Sequence, residues 1–279
     1  MDVKELSKLL TESATRANQS KYIPWWEDDF ENCIYRYSIF SRDKVEEIQS
    51  CLAQCPKETI LAPTGIDGGY GLTLFHLLVW HNFYDAIKAM FDDGRLSSED
   101  VNVVDDKGFG LTPFLLACCR GNLAMTQLLL EHGADASLSD KRGMNAFHYL
   151  AYARFEELAN CRTEKTALQR ESIARLLTCD INQKDRDGFT PLVRLLTSSY
   201  CSDHSWPLTE VFLDKGAETD YVDENGDSLL MLALKNGHMT GALQLMQRHK
   251  ELVRLANKEG VTPIQHAHKW QNEGLCLAL

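Results

Sequence analysis

Apolar residues in this chain come in short paired runs of helical spacing. Each pair is preceded by a polar turn that ends in Gly-x-Thr-Pro or a close variant. The clearest copy reads Gly110-Leu-Thr-Pro-Phe-Leu-Leu-Ala117, then Gly121-Asn122, then Gln127-Leu-Leu-Leu-Glu-His-Gly133-Ala134-Asp135. Others begin at Gly71-Leu-Thr-Leu-Phe-His76, Gly143-Met-Asn-Ala-Phe-His148, Gly188-Phe-Thr-Pro-Leu192, Gly226-Asp-Ser-Leu-Leu230 and Gly260-Val-Thr-Pro-Ile264. The Thr-equivalents at 73, 112, 145, 190, 228 and 262 start successive copies 39, 33, 45, 38 and 34 residues apart. A repeat of this size predicts stacked helix pairs, each burying its apolar faces against its neighbours.

The residue types suit that reading. Thr is a good helix N-cap, and Pro at the first helical position loses no donor the helix needs. Gly133 and Gly216 fall where a second helix must end in a left-handed residue. Over residues 60–279 the chain resembles the ankyrin-repeat family, with its unit of about 33 residues and its Thr-Pro-Leu-His-x-Ala phrase. The resemblance implies an all-α ankyrin-repeat solenoid of helix pairs with short β-turn fingers, and a His that hydrogen-bonds toward neighbouring backbone. The departures are Leu74, Ala146 and Leu229 for Pro, and Asn82 and Arg154 for the mid-repeat Gly; His survives only as His76 and His148.

Residues 61–279 therefore make a repeat domain of about six repeats, the last partial, with insertions expected near 155–171 and 200–206. Residues 1–60 lack the phrase. Helices are expected there at 3–15, 28–40 and 42–54, the last capped by Ser41 and ended by Pro56, so this segment reads as an N-terminal helical cap. A final short helix is expected at 270–279, and Leu129 and Leu176 are expected in the core.

Charge narrows the partners. Lys and Arg number 29 against 40 Asp and Glu, a net −11, so this acidic protein is expected to avoid nucleic acid and anionic membrane surfaces. No apolar run nears the roughly 20 residues of a membrane-spanning helix, and the N-terminus has no signal-peptide core. Nine cysteines, several within apolar helical runs, suit a reducing, cytoplasmic compartment, with export as an effector by a non-Sec route left open.

Chemistry has little foothold. The glycine-rich stretch 65–71 lacks both the preceding strand and the Lys-Ser/Thr of a phosphate loop. Cys51 and Cys55, or Cys118 and Cys119, find no matching ligand pair for zinc; Cys118 is expected in the core and Cys119 toward the groove. His266 and His268 lack a carboxylate at helical spacing, and no nucleophile elbow occurs. No catalytic residue, metal or cofactor is expected. Trp25 and Trp26 read either as a hydrophobic staple for the N-terminal helices or as an exposed anchor.

In proteins similar to this one, fingers and first helices line a concave groove that binds other proteins. That register puts Trp80, Phe109, Leu111, Arg120, Arg142, Met144, Tyr152, Arg186, Phe189 and Trp270 on the expected binding face. Aromatic residues and Arg are the types enriched at interface hot spots. The expected function is a non-enzymatic protein-interaction module whose partner offers an acidic and apolar segment. The alternatives are an immunity, antitoxin-like or effector protein that occludes an enzyme, and an enzyme with its site in the N-terminal helices.

Overall fold

All six Thr-equivalents cap a helix in the same way: the side-chain oxygen accepts the backbone N–H three residues on. The pairs are Thr73 with His76, Thr112 with Leu115, Asn145 with His148, Thr190 with Val193, Ser228 with Met231 and Thr262 with Gln265. Three caps are reciprocal. His76 Nδ1, His148 Nδ1 and Gln265 Oε1 accept the N–H of their own capping residue. The helix starts are thus fixed by short polar side chains, and the apolar runs behind them supply the packing.

The computed structural model describes residues 6, 48–64, 71–105, 107–151, 164–197 and 206–269. Among these, regular structure is helical, with isolated bridges at Pro63–Thr73 and Val222–Ser228. The chain divides into two units, 1–142 and 143–279.

In the first unit, α1 is Lys57–Ile60, and the first repeat pairs α2 (Leu74–Trp80) with α3 (Tyr84–Asp92). The second repeat pairs α4 (Pro113–Arg120) with α5 (Leu123–Glu131). First helix packs on first helix, α2 against α4, and second on second, α3 against α5. Phe75, Leu78, Ile87, Met90, Phe114, Leu115 and Leu129 are buried between them. Asn82 stands where the second repeat has Gly121, and both are left-handed, at φ 58° and 63°. Asn is among the non-glycine residues that tolerate this conformation best, so the turn between helices survives the substitution. The helical residues 48–52 are tied to the first repeat by Arg95, whose Nη1 donates to the carbonyls of Leu52 and Cys55 at 2.7 and 3.1 Å. Lys57 pairs with Asp100 at 2.7 Å.

The second unit holds α6 (Ala146–Ala151), α7 (Glu164–Leu176), α8 (Pro191–Thr197), α9 (Trp206–Asp214), α10 (Leu229–Lys235) and α11 (Met239–Arg248). A 3-10 turn at Lys250–Arg254 and α12 (Pro263–Lys269) follow. First helices α6, α8, α10 and α12 pack in sequence, as do second helices α7, α9 and α11. Phe147 meets Phe212 edge to face with ring centroids 5.4 Å apart. Gly241 lets α11 approach α8, because a Cβ there would lie 2.7 Å from Leu196 Cδ2.

Of the insertion expected near 155–171, the part up to 163 lies outside the described residues and the rest is the start of α7, where Arg170 is buried with Nη1 donating to the Leu150 carbonyl at 2.7 Å. One expectation is corrected: Leu176 is 45% exposed, whereas Leu177 is buried. The inward stripe of α7 continues from Ile173 and Ala174 to Leu177, which leaves Leu176 facing out. The helices expected at 3–15, 28–40 and 270–279 lie outside the described residues, apart from Leu6, which is helical and buried.

Leu129→Ala and Leu177→Ala should each cost about 2–5 kcal/mol through cavity formation, and Leu176→Ala no more than about 0.5 kcal/mol. Urea melts of the three variants check the ranking.

Candidate partner-binding surface

From the second finger onward, each is built on an Asp or Asn whose side chain folds the turn over itself, whereas the first has Thr64 at its base. Asp185 and Asp223 each accept backbone N–H groups two and four residues on, at 2.8–3.0 Å; Asn257 does the same at 3.0–3.1 Å. Asp105 reaches four and six residues on, to Phe109 and Leu111, because its finger is two residues longer. Asp140 accepts from Arg142 N at 2.9 Å. The base of four fingers closes through backbone: the N–H groups of Asp105, Asp185, Asp223 and Asn257 donate to the carbonyls of Leu111, Phe189, Asp227 and Val261.

Neighbouring repeats then hold these fingers from the side. His76 Nε2 lies 2.9 Å from the Leu111 carbonyl, and His148 Nε2 lies 3.0 Å from that of Phe189. Asn102 donates to the Gly133 carbonyl and accepts from Asp135 N; Asn182 repeats the clamp on Gly216 and Glu218. Between adjacent fingers, Lys141 Nζ donates to the Gly108 carbonyl and Lys258 Nζ to that of Glu224, both at 2.8 Å.

Onto this frame fall the expected binding residues. Phe109 and Arg142 come together in the first unit, the guanidinium carbon 4.9 Å from the ring centroid. Both are half-buried, and Arg142 also pairs with buried Asp140 at 3.1 Å. In the second unit Phe189 is half-buried beneath the guanidinium of Arg194, at 4.5 Å, and beside Tyr221, at 5.7 Å between centroids. Arg194 Nε also donates to Asp185 at 2.7 Å, and Arg186 is exposed.

Three expected positions are not on the surface. Trp80, Leu111 and Met144 are 1%, 0% and 3% exposed. Leu111 and Met144 each sit just before an N-cap, where a staple turns an apolar side chain inward. Trp80 ends α2 where that helix packs on α3 and α4, and half-buried Arg120 lies over its ring at 4.9 Å. Cys119, expected toward the groove, is buried beside Cys118. Tyr152 and Trp270 lie outside the described residues, as do Trp25 and Trp26. Sequence reasoning missed Arg194 and Tyr221. Arg194 carried a usable signal: it lies five residues after Phe189, at the helix position that faces the staple residue.

Electrostatics separates two buried groups. Burial drives the His76 imidazole down to about 4. This fits its bonding, since Nδ1 already faces the Thr73 N–H and would clash with a second proton. Burial lifts the Asp105 carboxyl to about 6, against the backbone N–H groups it accepts and nearby Lys141. Among the described residues no group of three His, Cys, Asp or Glu side chains could hold a metal ion. Nor is any helix among them long and apolar enough to cross a membrane.

Comparison with known proteins gives a consistent picture. A family model described as ankyrin repeats (3 copies) matches residues 75–161. Phosphocholine transferase AnkX of Legionella pneumophila is 26% identical over 171 residues, which cover 60% of this chain and 16% of that protein. A human transient receptor potential cation channel, subfamily A member 1, is 28% identical over 185 residues, covering 56% of this chain and 16% of the channel. The probable 26S proteasome regulatory subunit p28 of Saccharomyces cerevisiae is 27% identical over 158 residues, covering 56% of this chain and 60% of that subunit. The chain thus spans about a sixth of the first two relatives. A solved ankyrin repeat domain from Acinetobacter baumannii superposes with a TM-score of 0.50 at 20% identity, over 74% of this chain and 92% of that one.

The two shifted groups give opposite pH slopes. The unfolded chain takes up the His76 proton below about 6.5 and the folded chain only near 4. That contribution is complete above 6.5 and is lost as pH falls toward 4, by up to about 1.4 kcal/mol per unit. Asp105 works the other way: its destabilising ionisation is relieved as pH falls from about 6 toward 4. In urea melts across this range, the advantage of wild type over His76→Gln should shrink as pH falls. Wild type should gain on Asp105→Asn over the same interval. Differences independent of pH would contradict both assignments.

Proposed function

The chain is an ankyrin-repeat protein, and we propose that it acts as a non-enzymatic protein-interaction module that binds a partner segment on its fingers and first helices. Ankyrin repeats serve generally as protein-interaction modules, and by its name one relative is a regulatory subunit of a larger assembly. The observation that carries the reading is the prior ordering of the fingers. Asp, Asn and His side chains hold their backbone fixed at Asp105, Asp185 and Asp223, so a partner need not supply the entropy of ordering them. On these ordered turns stand half-buried aromatic rings backed by arginine, Phe109 with Arg142 and Phe189 with Arg194, and exposed Arg186. Rigid aromatic and Arg side chains of this kind are what binding hot spots are made of.

The test begins with the chain as bait in extract of its source cell. The retained protein is then titrated against variants. Phe109→Ala and Phe189→Ala should each weaken binding by about 1–3 kcal/mol, and Arg186→Glu should slow association most at low salt. Melting temperatures should move little for Arg186→Glu, which is exposed. Leu111→Ala and Met144→Ala should instead lower stability, since both side chains are buried. A partner that binds all three surface variants as it binds wild type would place the functional surface elsewhere.

A further inference from the structure

Two fingers of the first unit turn their described carboxylates inward and their cations outward. In the first unit the carboxylates of Asp105 and Asp140 are turned inward, 1% and 5% exposed, and are used up on turn N–H groups and on Arg142. The cations of the same two fingers point the other way. Lys107 and Lys141 are exposed, and Arg142 keeps 36% of its side chain accessible while it covers the Phe109 ring. Lys141 is laid across the preceding finger, its backbone N–H on the Phe109 carbonyl and its Nζ on that of Gly108. Val104, at the foot of the first of these fingers, is 49% exposed. Among the described residues of these fingers the accessible charges are therefore positive, on a chain whose net charge is −11.

Resting on the reading of this surface as a docking face, we propose that the paired fingers around Phe109 take an acidic peptide segment. Its carboxylates meet Lys107, Lys141 and Arg142, and its apolar side chains lie against Phe109 and Val104. An ordinary solvated surface of so acidic a protein would expose both signs. Among the described residues of these fingers, the inward-turned carboxylates of Asp105 and Asp140 lessen the like charge that an acidic partner would meet. Charge complementarity of this kind acts chiefly on association rate and on the rejection of wrong partners. A polynucleotide is the less fitting polyanion, because a longer duplex or strand would also meet the rest of a strongly negative molecule.

The probe is a library of random peptides selected on the immobilised full chain, followed by binding measurements on the retained sequences. The retained peptides should be net acidic with interspersed apolar residues. They should lose about tenfold or more in affinity as salt rises from about 0.05 to about 0.5 M. The double variant Lys107→Glu/Lys141→Glu should bind them at least about tenfold more weakly. Lys88→Glu, which alters an exposed lysine of α3, should bind them as wild type does. Neutral or basic peptides that are lost on Phe109→Ala would overturn the acidic preference and leave the docking face standing. Peptides held equally by wild type and Phe109→Ala would overturn the docking face itself. Retention unchanged in the double lysine variant, no retained peptide at all, or displacement by an equimolar 20-nucleotide single strand would each overturn the proposal.

Discussion

The hydrogen bond from a side chain of one repeat to the backbone of the next is the constraint on which the rest depends. A finger is irregular backbone, and irregular backbone near a core must find partners for its N–H and C=O groups. Some partners lie within the finger, on its own Asp or Asn; others come from about one repeat away in sequence: His76 to Leu111, His148 to Phe189, Asn102 to Gly133 and Asp135, Asn182 to Gly216 and Glu218. No single repeat completes itself. Apolar packing follows the same rule, since first helices pack on first helices and second on second within each unit.

That arrangement decides what the surface can offer. Because the turns are satisfied from beneath and from the side, their tips are left to carry Phe109, Arg142, Arg186 and Phe189 without a structural debt to water. The arginines are not idle decoration. Arg142 and Arg194 each neutralise a buried finger carboxylate and each cover a ring, so the same side chain serves stability and the proposed binding surface. Arg186 is exposed on its finger, which makes it the cleaner position for testing the proposed binding surface.

Much of the fold was legible in the sequence because its determinants are local. Thr, Ser and Asn announce helix starts by residue type, so the six caps could be read directly, whereas Asn82 stood only as a departure from Gly until its left-handed φ of 58° was seen. The candidate site was legible in part. Register gives the direction of a side chain within its own repeat, and it placed Phe109, Arg142, Arg186 and Phe189 at accessible tips. It does not say what the neighbouring repeat lays over that side chain. Trp80 was lost to the surface because α4 and Arg120 cover it, Leu111 and Met144 because the residue before a cap turns inward. Leu176 and Leu177 illustrate the same limit at a helix end, where one residue of phase exchanges core for solvent. Charge sorting on the fingers was invisible for a related reason: composition counts Asp105 and Lys107 equally, and only folding buries one and exposes the other.

Native-state hydrogen exchange on Asn102→Ala and Asn182→Ala tests the dependence of one repeat on the next most directly. Asn102 and Asn182 each hold a turn more than 30 residues downstream, at Asp135 and Glu218. The account predicts faster exchange at those two amides and in the last turns of α5 and α9, about a full repeat away from each substitution. Exchange that rises only around residues 102 and 182 themselves, with Asp135 and Glu218 as protected as in wild type, would contradict it.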